Sequence, residues 1–362
     1  MTHEPASVPA REIHSVMDLG MIVTFYSYKG GVGRTFALAN IGALLARWGY
    51  RVLCVDWDLE APGLHFYFAP WAPPTPTPGL LEWLEAVGAQ PPVTREARAA
   101  DALPPWRSHV VPIALPDDPK RPGVADAPAG TLHFMPAGQF DDDYVRRVQQ
   151  LDLDVLYARH GLGDRLEALA DVWRRDYDFV LIDSRTGITD IGGICAAQLP
   201  DMLVMLFTAN EQSLQGVLDV YARANQTRNR LPYDKPQLLG LPVPTRFEKR
   251  VEYRRAQQWL DRFARDLQPI YDGWLHKDLE PGDLLKLTRI PYVPHWSFGE
   301  ELAVLQEAQN DPDNISFSLV ILARLIAERL ENHADLVPDQ NPIEKSISAA
   351  PRRRRARRDH LW

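Results

Sequence analysis

Short runs that are apolar throughout alternate along the chain with stretches whose apolar residues recur at helical spacing. The runs MIVTFYS (21–27), RVLCVD (51–56), TLHFMPA (131–137), DFVLID (178–183), MLVMLFT (202–208), QLLGLPV (237–243) and RIPYV (289–293) predict strands. Most lack the alternation of a half-exposed strand, which places them in a parallel sheet covered on both faces. Between the first two, TFALANIGALLARWG sets Ile41, Leu44, Leu45 and Trp48 at i, i+3, i+4 and i+7, with Gly49 as a stop signal. Strand, loop, helix, strand is the βαβ unit. The prediction is an α/β fold: a doubly wound, mainly parallel sheet with helices on both faces. Near the end, SFSLVILARLIAERL (316–330) has an apolar side broad enough to pack on that sheet, and core packing is expected over a membrane role.

One region breaks the rhythm. Residues 70–128 hold 14 of the 31 prolines, interrupted by the helical pattern GLLEWLEAV. This stretch reads as an insertion on the rim of the domain, serving either as a lid or partner contact or as a surface excursion. The expected organisation is an N-terminal extension (1–20), a single domain carrying the insertion (21–335) and a basic tail (336–362).

Charge and cysteine content narrow the setting. The net charge is −8, and the six arginines of RRRRARR (352–358) leave −14 for the rest. An acidic body argues against a nucleic-acid groove on the folded domain. The tail, read as a solvated end, is the only concentrated attraction for nucleic acid or an anionic membrane. Two cysteines, Cys54 and Cys195, are too few for a disulfide framework, and Cys54 lies in an apolar run where a buried thiol is expected. The first twenty residues carry acids and no long apolar core, so neither a secretory signal nor a membrane span is expected, and a cytoplasmic location is. The ten histidines include no pair within five residues, which disfavours a zinc site.

The chemistry concentrates in YKGGVGRT (28–35). Gly30, Gly31 and Gly33 fall between a strand and a helix, where backbone N–H groups can converge on phosphate oxygens at the positive end of the helix. Thr35 falls in the first helical turn, with its hydroxyl in position to ligate Mg²⁺. The pattern G-x-x-x-x-G-K-[ST] is met except that Arg34 stands where lysine is usual. A dinucleotide-binding turn is the rival, since Gly31-Val32-Gly33 begins G-x-G and Asp56 follows the second strand. It fails at Phe36, where a third glycine would stand, and leaves Lys29, Arg34 and Thr35 unexplained.

The chain resembles the ParA/MinD group of deviant Walker A ATPases, and more closely its branch whose loop reads KGGVGR. Three motifs carry the resemblance: the loop itself, VDWDLEAPGL (55–64) and DFVLIDSRTG (178–187). The resemblance implies the P-loop NTPase fold, with ATP and Mg²⁺ as cofactors. It makes Lys29 the signature lysine and puts the loop Lys29, Gly30, Gly31, Val32, Gly33, Arg34, Thr35 and Phe36 around the phosphates. Asp58 becomes the counterpart of the carboxylate that orients the attacking water, close to the metal. Thr35 and Asp183 become metal partners, and Gly187 belongs to the following switch segment. Arg246 and Pro294, after late strands, become candidates for the adenine pocket. From its position alone, Asp56 reads either as structural or as a support behind the site residues, and Glu60 is left without a role.

The function expected is that of an ATP-dependent switch, a slow ATPase that forms an ATP-dependent homodimer, with Lys29 reaching the partner's nucleotide, and signals to a further protein. The alternative is a nucleotide-binding scaffold without significant hydrolysis. A guanidinium can bridge phosphate oxygens bidentately, so Arg34 leaves binding intact and puts turnover in question. The related bacterial tyrosine kinases are disfavoured because the tail PRRRRARRDHLW has no tyrosine cluster.

Overall fold

A computed structural model describes residues 19–74, 77–91, 103–116, 130–186, 193–248 and 253–331. Seven strands form one sheet: β1 (Met21–Ser27), β2 (Arg51–Asp56), β3 (Val111–Ile113), β4 (Thr131–Met135), β5 (Phe179–Asp183), β6 (Met202–Phe207) and β7 (Leu239–Pro244). Their order is β3-β4-β2-β5-β1-β6-β7, parallel except for β3, which runs antiparallel to β4. The helices are α1 (Arg34–Arg47), α2 (Leu64–Phe68), α3 (Leu80–Ala89), α4 (Tyr144–Gln150), α5 (Leu153–His160), α6 (Leu162–Asp176), α7 (Glu211–Arg228), α8 (Tyr253–Asp266), α9 (Gln268–Tyr271), α10 (Pro281–Thr288), α11 (Ala303–Gln306) and α12 (Ile315–Ala327).

The continuous apolar strands are explained by two cores, one on each face. In β1 and β2, Val23, Phe25, Val52 and Cys54 pack with α1, α7 and α12, whereas Ile22, Leu53 and Val55 pack with α3, α5 and α6. Successive side chains point to opposite faces, and both faces are covered. Helix α12 is buried along nearly its whole length, as its pattern predicts. Among the described residues no helix is long and apolar enough to cross a membrane. Both cysteines are buried.

Two elements differ from the sequence reading. RIPYV (289–293) forms no strand but a single bridge, Phe247 to Pro291. Pro291, without an N–H, cannot donate to a ladder. Conversely, the proline-rich stretch supplies strand β3, in addition to helix α3, which the pattern GLLEWLEAV predicts. Leu80, Leu81, Trp83, Leu84 and Val87 are fully buried, so the described part of the insertion is core as well as rim. β3 escapes a pattern search because it is three residues long with Pro112 at its centre, a composition an edge strand tolerates. The basic tail, residues 1–18 and Gly187 lie outside the described residues.

The topology positions the site. β1 connects through α1 toward β2 on one side, and β6 connects through α7 toward β7 on the other. The chain therefore diverges at the carboxyl end of β1, the switch point where α/β sheets bind ligands. Close packing of α1 onto the sheet depends on Gly42, where a β-carbon would lie 2.8 Å from the Cys54 sulfur and 3.5 Å from Leu181 Cδ1. Overpacking such a contact costs typically about 1–3 kcal/mol. Gly42→Leu is expected to lower unfolding stability by at least about 2 kcal/mol in urea, whereas an unchanged midpoint would show that α1 can move away from β2 freely.

Candidate functional site

β1 ends at Ser27, and the chain turns through Gly31 (φ 72°) and Gly33 (φ 87°) before α1 begins. Positive φ at both positions suits glycine. Gly33 is the N-cap, no side chain caps the helix and its first turn holds no acid. The first-turn N–H groups are thus available to an anion. A β-carbon at Gly30, Gly31 or Gly33 would meet no atom within 4 Å, so the loop has an open inner face, and all three glycines line a cavity of about 430 Å³.

Acids gather at the ends of the neighbouring strands. Asp56 and Asp183 are register partners closing β2 and β5, and both are fully buried. The Asp56 carboxylate accepts the backbone N–H groups of Asp58 (3.2 Å), Gly63 (3.1 Å) and Leu64 (3.1 Å). It therefore folds the 57–64 loop. Burial, then the nearby Asp183 charge, pushes its carboxyl well above the usual carboxylate range. That loop is also held by Tyr144, whose hydroxyl donates to the Leu59 carbonyl at 2.8 Å. Glu60 pairs with Arg185 at 2.5 Å, joining this loop to the segment after β5.

Arg34 is the centre of the cluster. Its Nε donates to Asp183 Oδ1, its Nη2 donates to Asp58 Oδ2 at 2.8 Å, and its Nη1 lies 3.5 Å from Ser27 Oγ. Thr35 Oγ1 donates to the other Asp183 oxygen at 2.7 Å. The Arg34 side chain is only 7% exposed. Burial alone would lower its pKa; the Asp183 charge, followed by that of Asp58, outweighs this and raises it. For Asp183, burial pushes the pKa up and outweighs the lowering by Arg34 and Thr35.

The opposite wall of the cavity comes from the late loops. Arg246, in a left-handed conformation (φ 51°), lines it together with residues 290–293, Trp296, Ser297, Gly299 and Glu300. Trp296 faces Phe36 at 6.5 Å between ring centroids, and its indole N–H donates to Glu307 at 2.7 Å. Phe36 also meets Tyr67 edge-on at 6.2 Å. Buried Asn40 ties the two walls together, donating to the Phe36 carbonyl at 2.8 Å and accepting the Val304 N–H at 3.1 Å.

A nucleotide-binding domain shared by CobQ, CobB, MinD and ParA matches residues 23–278. The chain belongs to this family. A probable plasmid-partitioning protein ParA of Thermus thermophilus is 25% identical over 237 residues, 64% of this chain and 60% of that protein. An uncharacterized ATP-binding protein of Methanocaldococcus jannaschii is 24% identical over 200 residues, 55% of this chain and 57% of its own length. The chain thus spans less than two thirds of these curated relatives. The cell-division ATPase MinD of Pyrococcus furiosus superposes with a TM-score of 0.53 at 18% identity, over 86% of this chain and all of its own. That likeness is one of fold.

For this ParA/MinD-family domain, the structure brings together Gly30 to Phe36, Asp58, Asp183 and Arg246. Lys29 is half-buried beside the loop and does not line the cavity. Pro294 does not line it either; it opens the helical turn Pro294–Ser297 that presents Trp296 and Ser297. Sequence reasoning misses Ser27, Tyr67, Trp296 and Glu300. The stretch YVPHWSFGEEL is conspicuous in sequence, but which of its side chains turn inward depends on a short helical turn that no period reveals.

Proposed function

We propose that this chain is an ATP-dependent molecular switch that binds ATP with Mg²⁺, hydrolyses it slowly, dimerises with nucleotide and relays its state to a protein partner from the cytoplasm. The observation that carries the reading is the convergence of Thr35, Asp183 and Asp58 beside an open, uncapped glycine loop. Their donors are hard oxygens, the set that Mg²⁺ takes when phosphates supply further ligands. Thr35 and Asp183 would hold it, with Asp58 close by. When bound, Mg²⁺ neutralises charge on the phosphates.

The chain's own groups supply the rest. First-turn and loop N–H groups, with Arg34, grip the phosphates. Asp58, on the loop that Asp56 folds, orients the attacking water. Trp296, with its ring plane fixed through Glu307, and Arg246 form the wall toward the base, with Pro294 setting the turn. Residues 21–335 constitute the switch domain, and any contact with nucleic acid or anionic membrane falls to the arginine tail. One observation favours the scaffold alternative: Arg34 holds Asp58 directly, and a carboxylate kept there would not reach water.

Calorimetry and phosphate release on wild type and Asp58→Ala test the reading. Wild type should bind ATP in a Mg²⁺-dependent manner, and the variant should retain affinity within a few-fold while losing turnover by roughly 10²-fold, the scale of a lost positioning group. A wild type that binds no ATP would overturn the proposal; one that binds without any turnover would establish the scaffold alternative.

Dimerisation rests on Lys29, which lies outside the cavity lining. Reaching a second copy's phosphates would give each subunit a charge-assisted contact found only in the pair. In light scattering, ATP should drive wild type to a dimer more than ADP does, and Lys29→Ala should stay monomeric while still binding ATP. A variant that dimerises normally would remove Lys29 from the interface.

A further inference from the structure

Arg34 does more than replace a lysine. Its planar fork sends Nε to Asp183 and Nη2 to Asp58, carboxylates from two separate segments. The remaining Asp183 oxygen accepts from Thr35, and the remaining Asp58 oxygen accepts the Ala61 N–H at 3.3 Å. All four oxygens of the two carboxylates therefore have donors. A third acid, Asp56, stands in register beside Asp183, so the guanidinium is embedded in concentrated negative charge. These are the oxygens that a divalent cation in this site would need.

We propose that Arg34 is a built-in counter-ion, occupying the carboxylates that would otherwise attract a bare divalent cation, so that cation entry and transfer of the arginine to phosphate are one exchange. The inference rests on the nucleotide-site reading but concerns groups already on this chain. A guanidinium and a divalent ion held on the same carboxylates repel each other at close range, so each disfavours the other there. If the arginine left without a cation to replace it, buried carboxylates would stand uncompensated. If the cation came without phosphate, the arginine would lose its anionic partners. Cation and nucleotide therefore promote each other's binding, a reciprocal coupling. Lysine would not build the same device: an ammonium is a point charge and lacks the fixed two-pronged geometry that spans Asp58 and Asp183.

The test uses the full chain and Mn²⁺ alone as the probe, with no nucleotide present. Free Mn²⁺ is followed by its electron paramagnetic resonance signal, and circular dichroism verifies folding of wild type, Arg34→Ala and Arg34→Lys. Arg34→Ala should bind one Mn²⁺ at least ten-fold more tightly than wild type, and Mn²⁺ should raise its Tm while leaving that of wild type unmoved. Arg34→Lys, which keeps the charge and loses the fork, should fall between them, and it carries the test if the alanine variant does not fold. Adding Asp183→Asn to either variant should abolish the gained affinity. Equal Mn²⁺ affinity in wild type and the folded variants, whether tight or absent, would overturn the proposal. Because this arm contains no nucleotide, it can fail while wild type still binds Mg²⁺ and ATP, and it can succeed even if wild type binds no ATP.

Discussion

Two fully buried carboxylates, Asp56 and Asp183, lie side by side at the ends of adjacent parallel strands, and much of the surrounding structure compensates for them. Ionised carboxylates in a protein interior are strongly unfavourable unless paired and hydrogen-bonded. Asp56 is satisfied by three backbone N–H groups, and this folds the loop carrying Asp58. Asp183 is satisfied by the first two residues of α1, Arg34 and Thr35. The same contacts that make burial tolerable therefore fix the loop, the helix start and the second acid relative to one another. Stability and site geometry share one set of hydrogen bonds.

The sheet supplies the placement. With β1 flanked by β5 and β6, the glycine loop leaves the sheet where its connections diverge, and α1 points its uncapped amino end into the cavity. The opposite wall is built from chain more than two hundred residues away, and Asn40 joins it to the helix that follows the loop. One buried amide thus links the glycine-loop side of the cavity to its aromatic side. This explains how a late, irregular segment can hold a defined position: Val304 N–H is anchored, and Trp296 is braced by Glu307.

Much of this was legible in sequence, for a physical reason. Strands buried on both faces must be apolar throughout, so β1, β2, β5 and β6 announce themselves. The glycine loop is equally plain, because the positive φ at positions 31 and 33 favours glycine. Asp56, Asp58 and Asp183 were readable as acids closing or following such strands. What escaped has equally physical causes. β3 is short and proline-centred, and RIPYV has a strand's composition but carries at its centre Pro291, which has no N–H to give a ladder. The attachment of Arg34 to both carboxylates depends on strand register and side-chain reach, which no spacing reveals. The inward turn of Trp296 depends on one short helical turn. The arginine could be recognised as a departure from the usual loop, but its partners could not.

The central claim is that one cluster serves as both internal ion pair and nucleotide site. A crystal structure of the chain grown with Mg²⁺ and a non-hydrolysable ATP analogue tests it most directly. The analogue's phosphates should lie over Gly30 to Thr35, with the cation on Thr35 and Asp183 and the Arg34 guanidinium moved from the carboxylates to phosphate oxygens. A structure with the nucleotide elsewhere, or with Mg²⁺ bound while Arg34 still bridges Asp58 and Asp183, would contradict the account.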